Sequence, residues 1–138
     1  MSSPQEEDMS TAVRYYSRGG KTKEVAEYLA QAAGVQAVSV DTQAAAIQEP
    51  VDVLFVGGAL YAYGLDKHLS SWLDGLDAKM VKKAVLFSTS WISKHALDLM
   101  REKLSAKGIP VEERTLYLKS KEAAGSRQTA EAFAKQFL

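Results

Sequence analysis

The chain contains no cysteine and no excess of charge of either sign, with 17 Lys and Arg balancing 17 Asp and Glu in 138 residues. The missing cysteine removes thiol catalysis, disulfide staples, zinc fingers and cysteine-ligated iron–sulfur clusters, and fits a reducing cytoplasm. A chain of this length buries a core without such staples. Zero net charge argues against a nucleic-acid surface or a polybasic membrane patch. No apolar run is long enough to span a bilayer, and the N-terminus lacks the basic-then-apolar build of a signal peptide. The expectation is a soluble cytoplasmic protein without nucleic acid, membrane or metal. The two histidines, His68 and His95, each fall early in a predicted helix with neither a second histidine nor a clustered carboxylate, and read as surface residues.

Residues 1–10 are polar, carry the run Gln5-Glu6-Glu7-Asp8 and show no apolar periodicity, which predicts a disordered leader. From Thr11 to Leu138 strand-like and helix-like stretches alternate without an internal repeat or a second core, predicting one domain. Strands are expected at 11–16, 35–40, 51–56, 84–87 and 111–118. Helices are expected from Lys21 to a stop at Gly34, from about Asp66 to Leu76, through Leu97, Met100 and Leu104 to a stop at Gly108-Ile109-Pro110, and through Ala130, Phe133, Ala134 and Phe137. Thr42 to Pro50 allows a single helical turn at most. Continuous apolar runs such as Val53-Leu54-Phe55-Val56 and Ala84-Val85-Leu86-Phe87 suit strands covered on both faces. The fold class is therefore α/β, with helix layers on both faces of a doubly wound, five-stranded parallel sheet.

The loop Ser17-Arg18-Gly19-Gly20-Lys21-Thr22 joins the first strand to the first helix. Glycines at a strand-to-helix turn let backbone N–H groups converge at positive φ, the helix N-terminus adds partial positive charge, and Ser17 and Thr22 supply hydroxyls, so a phosphate is the natural ligand. A nucleoside-triphosphate loop would need glycine where Tyr15 stands, and an aspartate closing a later strand. A dinucleotide fingerprint needs alternating glycines, whereas Gly19 and Gly20 are adjacent, although Asp41 closes the second strand. A phosphate monoester held by hydroxyls and amides is the remaining reading.

At this loop the chain resembles the flavodoxin family, whose flavin mononucleotide (FMN) phosphate loop has the pattern Ser/Thr-x-Thr/Ser-Gly-x-Thr after the first strand. Ser17, Gly20 and Thr22 match. Gly19 replaces a hydroxyl residue and Lys21 stands where asparagine is common, so one donor is lost and one cation gained. Lys21 has two readings, a cation near the phosphate or a solvated first-turn lysine. The resemblance implies a flavodoxin-like sheet of strand order 2-1-3-4-5, with the ligand crevice where the winding reverses between strands one and three, a rule that flavodoxin itself exemplifies. The crevice would be lined by the connections 17–22, 57–66 and 88–93, with the cofactor held by Ser17, Arg18, Gly19, Gly20, Lys21 and Thr22, by Leu60, Tyr61, Ala62, Tyr63 and Gly64, and by Ser88, Thr89, Ser90 and Trp91. Tyr61 and Trp91 are first choices to stack on a flat ring, with Tyr63 in reserve, against the alternative that each packs in the core or rim. Trp72 belongs to a helical apolar stripe. In the family a peptide beside the flavin flips so that its carbonyl meets the reduced ring, and Ala62, Tyr63 and Gly64 are the corresponding stretch here.

The resemblance implies a non-covalent FMN carrier of one or two electrons, exchanging them with a redox partner protein, and no catalytic residue beyond the cofactor. Family members are typically strongly acidic; the neutral charge here, with Arg18 and Lys21 close by, implies a less negative potential. Whether the protein is a carrier or an enzyme stays open. The alternatives are an FMN-dependent oxidoreductase acting on quinones or tetrapyrrole precursors, although 105–120 has no room for the long loop of the tetrapyrrole enzymes, and a non-redox binding module. A phosphorylation receiver would need clustered aspartates after the first strand, where none stands.

Overall fold

The computed structural model describes residues 10–61, 64–90 and 93–138. The elements in chain order are β1 (Thr11–Tyr15), α1 (Lys21–Ala33), β2 (Ala37–Ser39), β3 (Val53–Gly57), β4 (Leu60–Tyr61), β5 (Gly64–Leu65), α2 (Lys67–Asp74), β6 (Ala84–Ser90), α3 (His95–Ala106), β7 (Leu116–Lys119) and α4 (Arg127–Lys135). Short 3-10 turns occupy Gln43–Ala45, Ala78–Met80 and Ser120–Gly125. The main sheet is parallel with order β2-β1-β3-β6-β7, which is 2-1-3-4-5 when only its own strands are counted.

Strand alternation divides the core between the two faces of the sheet. Val13, Phe55, Val85 and Phe87 point into one buried cluster with Val25 and Leu29 of α1 and with Ala130 and Phe133 of α4. Leu54, Val56 and Leu86 point into the other, with Leu69 and Leu73 of α2 and Leu97, Met100 and Leu104 of α3. All residues of β3 and β6 are buried, as continuous apolar runs between two helix layers require. Burying each large side chain contributes roughly 1.5–3 kcal/mol, so these central strands carry much of the stability. Gly34 and Gly108 end α1 and α3 in the left-handed region, as the sequence suggested for both stops.

Beyond shifts of one to three residues at other strand and helix ends, such as 37–39 where 35–40 was expected, the structure differs from the sequence reading in three places. The fourth strand of the main sheet does not stop at Phe87 but continues through Ser88-Thr89-Ser90. Their hydroxyls are hydrogen-bonded in the interior, which removes the desolvation cost that makes such residues look like a loop. The last strand is shorter than 111–118: Val111 makes an isolated bridge to Ala84, and regular pairing resumes at Leu116. Between them Glu112 lies near Lys83 and Arg114, so this stretch is held by charge as well as by a ladder. β4 and β5 form an antiparallel ribbon that the sequence reading treated as loop, because two-residue strands leave no periodicity to detect. The predicted leader at 1–9 lies outside the described residues; Ser10 already pairs with the amides of Asp52 and Val53 through its carbonyl.

Candidate functional site

The loop after β1 builds a donor cluster from the backbone upward. Gly20 has φ 95, a conformation that L side chains rarely adopt, and it sits at the N-cap of α1. Gly19 is not in that region, so the turn places its demand on Gly20 alone. The Gly20 amide donates to Ser17 Oγ at 2.9 Å, which fixes the serine and leaves its own O–H as a donor. The first helical bond runs from the Glu24 amide to the Gly20 carbonyl at 3.0 Å. The amides of Lys21, Thr22 and Lys23 therefore have no acceptor among the described residues, and the helix dipole adds to their pull on an anion.

Below them, Thr22 Oγ1 and Thr89 Oγ1 lie 2.6 Å apart, with both residues at most 2% exposed. Two hydroxyls sharing one hydrogen bond use only one of their two protons, so the pair retains one O–H for a further acceptor. This bond also ties the loop after β1 to the end of β6. Ser88 Oγ donates to the Gly58 carbonyl at 2.7 Å, and Ser90 Oγ accepts the Ser93 amide.

Above the loop lies a cleft of about 270 Å³, lined by Ser17, Gly19, Lys21 and Thr22 from the first connection, with Tyr61, Thr89 and Ser90 among the residues opposite. Leu60 lines it as expected, and so does Ala59, which falls in the 57–66 connection expected to line the crevice. Ser120 lines it too, and the sequence reading missed it. Ser120 follows the last strand, so the rule that all strand carboxyl ends face the crevice would have found it. Ser88 lies beneath the cleft, 1% exposed, and supports it without lining it. Gly64, the described member of the stretch that corresponds to the family's flipping peptide, is not at positive φ, and a Cβ there would meet nothing. Ala62, Tyr63 and Trp91, which directly follow Tyr61 and Ser90 or the residue between, lie outside the described residues.

Arg18 takes a different direction from the phosphate loop that carries it. Its Nε and Nη2 both donate to Asp66 Oδ2, at 2.9 and 2.6 Å, and its guanidinium lies 3.9 Å from the centre of the Tyr61 ring. The Arg18 amide donates to the Tyr61 hydroxyl at 3.1 Å. Asp66 also caps α2, accepting the His68 amide at 2.7 Å and lying 2.8 Å from His68 Nδ1. Because an ionised carboxylate only accepts, Nδ1 is the protonated ring nitrogen. His68 in turn stacks on Tyr16 with ring centres 4.8 Å apart. The reading of His68 as lacking a carboxylate partner is thus corrected: Asp66 stands two residues away, at the N-cap where helices favour aspartate. His95 also has one, Asp98, at 3.8 Å.

Asp66 is 4% exposed. Burial alone would push its carboxyl up, but the His68 amide, the Arg18 guanidinium and the His68 ring outweigh that and hold it below the ordinary carboxylate range. The hydrogen bond to Asp66 raises Arg18 in turn. Tyr16 is raised, chiefly by desolvation and then by the Asp66 charge.

A larger groove of about 540 Å³ runs along the flank of α2, between the Thr42–Ile47 connection and Met80, with Trp72 on its wall. It has no comparable set of converging amides and hydroxyls. Trp72 packs partly buried against the α2–α3 side of the core, as its place in the apolar stripe suggested. Among the described residues no group of His, Cys, Asp and Glu forms a metal site, and no helix is long and apolar enough to cross a membrane.

The site's donors suit a phosphate monoester: three unpaired helix amides, the Ser17 hydroxyl and the spare Thr22/Thr89 proton converge beside an aromatic-walled cleft. Solved structures with this architecture include a flavodoxin from the domain Archaea, 20% identical with TM-score 0.74, matching 94% of this chain and 99% of that one. Flavodoxin 1 from Bacillus cereus is 19% identical with TM-score 0.74, over 92% of this chain and 95% of that one. Rubredoxin oxygen:oxidoreductase from Desulfovibrio gigas is 14% identical with TM-score 0.68; 94% of this chain matches 38% of that longer one. At these identities the likeness establishes the fold. No curated protein sequence matches the chain. A family model described as a flavodoxin domain matches residues 12–115, most of the chain, and the protein belongs to the flavodoxin domain family.

Proposed function

We propose that the protein binds FMN non-covalently and carries electrons on it between redox partners. The observation that carries this reading is the loop after β1, where Gly20, Ser17 and the first turn of α1 present donors for one terminal phosphate, with Tyr61 on the wall of the adjoining cleft. FMN would supply the redox chemistry when bound. The protein's part is to hold the phosphate through main-chain amides and hydroxyls, to offer the Tyr61 ring as an apolar wall, and to set the local charge. Lys21 lines the cleft and supplies a cation there, whereas Arg18 is neutralised by Asp66. The less negative potential suggested by two nearby cations therefore rests on Lys21.

Absorbance of the purified protein followed by FMN titration tests the reading. We expect one FMN per chain with quenching of its fluorescence, and affinity about tenfold weaker in Ser17→Ala, the loss of roughly one hydrogen bond to a charged group. A folded, colourless protein that leaves added FMN unquenched would refute it. The likeness to the Desulfovibrio gigas oxidoreductase supports a second reading, a flavin unit serving a larger oxidoreductase. Steady-state turnover of small acceptors separates enzyme from carrier.

A further inference from the structure

The neutral charge of the whole chain conceals an uneven distribution. From the last residue of each strand of the main sheet to the first residue of the next helix or 3-10 turn stand Arg18, Lys21, Lys67, Lys94 and Lys119, against Asp41 and Asp66; one turn further on, Lys121 and Glu122 balance each other in sign, and Glu122 accepts the Lys119 amide. All five cations are exposed. Asp66 is buried and paired with Arg18 at 2.6 Å, so Lys21, Lys67, Lys94 and Lys119 face solvent with no carboxylate partner among the described residues. Each is at the cleft or beside a residue that shapes it: Lys21 lines it, Lys119 precedes its lining residue Ser120, Lys94 follows Ser93, whose amide is bound by Ser90, and Lys67 follows Asp66.

The other end of the sheet is different. There Lys82 lies near Asp52, Lys83 and Arg114 near Glu112, and Lys103 near Asp74, at 2.8 to 3.7 Å. Several cations at that end stand in ion pairs, whereas at the cleft end only Arg18 among the five does.

We infer that the rim of the proposed flavin cleft is a docking surface for the acidic face of a partner redox protein. The inference rests on the flavin reading, because a partner must approach the cofactor's accessible edge to exchange electrons, and a flavin held in this cleft would be reached past these cations. With Lys21 facing the phosphate in the cleft, Lys67, Lys94 and Lys119 remain as exposed cations without a carboxylate partner, and cations so placed steer an anionic surface and repel a cationic one. A membrane surface is the outcome that the vesicle arm of the test below checks: among the described residues the only large apolar side chain that is exposed is Leu138, at the last position of the sequence.

The test uses FMN-loaded protein reduced with dithionite, and two one-electron acceptors of opposite surface charge, an acidic rubredoxin and a basic cytochrome c. Each reduced flavin gives two electrons, one to each of two acceptor irons, and releases its protons to water. We expect the bimolecular rate with rubredoxin to fall about tenfold between low salt and ~0.5 M salt, and the rate with cytochrome c to rise or stay flat. The variant Lys67→Glu/Lys119→Glu, which leaves the cleft-lining residues untouched, should retain FMN affinity and lose the rubredoxin salt dependence. The opposite salt trends, salt-independent rates with both acceptors, or an unchanged slope in the variant overturn the inference while leaving the flavin reading intact. Sedimentation of the protein with phosphatidylserine vesicles at physiological salt also overturns it, giving the rim to a membrane. Failure to retain FMN refutes the flavin reading itself and this inference with it.

Discussion

The two ends of the central sheet solve the problem of polar groups in opposite ways. At the amino ends of the strands, where β3 and β6 begin, lysines and carboxylates pair at the surface, as Lys83 does with Glu112, and little is buried. At the carboxyl ends, polar side chains are taken into the interior in specific couples: Thr22 with Thr89, Ser88 with the Gly58 carbonyl, Asp66 with Arg18 and His68. Surface pairs contribute little and tolerate change. Buried couples cost desolvation, restrict geometry and persist where the arrangement of donors matters. The contrast marks the carboxyl ends as the place where side-chain geometry is most tightly fixed.

Substitutions at matched positions sharpen that contrast. The largest effect is expected for Gly57→Ala at the carboxyl end of β3, where a Cβ would lie 2.4 Å from the fully buried Phe87 ring. Overpacking there should destabilise by about 3 kcal/mol in a denaturant titration. The same change at Gly75, at the other end, meets nothing closer than 3.6 Å and should leave stability unchanged or raise it by about 0.5 kcal/mol. Equal effects at the two glycines would remove the argument that backbone and side chains approach more closely under the cleft.

Asp66→Asn should come next, at about 1–2 kcal/mol near neutral pH, since asparagine still caps α2 but loses the charge-assisted bonds to Arg18 and His68, and half-exposed Arg18 regains water. Because the folded carboxyl is held below its unfolded value of about 3.9, its contribution is fully present above that pH. It is lost as pH falls from there through the lowered folded value. Acid unfolding curves of wild type and Asp66→Asn should therefore converge below pH ~4; a constant gap would show that the charge is not what stabilises.

Thr89→Val keeps the shape of a buried β-branched side chain but leaves Thr22 without its partner. A loss of about 1 kcal/mol is expected, with FMN affinity weakened roughly tenfold because the donor orientation at Thr22 is no longer fixed. Unchanged affinity would reduce the pair to a packing feature. The smallest effect, below about 0.5 kcal/mol, is expected for Lys83→Gln at the amino end, measured by the same denaturant titration. A larger loss there would contradict the description of that end as a weakly coupled surface.

The same contrast explains what was legible in the sequence. The order of strands and helices could be read because Val53 to Val56 and Ala84 to Phe87 are continuous apolar runs, and because Gly34 and Gly108 mark helix ends. The turn into α1 through Ser17, Gly20 and Thr22 was legible because its spacing is local. Ser88-Thr89-Ser90 read as loop because their burial depends on partners 30 and 67 residues away at Gly58 and Thr22. The direction of Arg18 was hidden for the same reason, since Asp66 is 48 residues distant in sequence. Local pattern reveals where the backbone turns, while long-range pairing decides which hydroxyls and charges remain available.

Calorimetric titration of the folded protein with FMN and, separately, with riboflavin tests the central claim most directly, because the two ligands differ by the phosphate alone. The account predicts one FMN per chain and at least ~100-fold weaker riboflavin binding, the equivalent of one or two charge-assisted hydrogen bonds. Equal affinities for the two, or no heat with FMN, would contradict it.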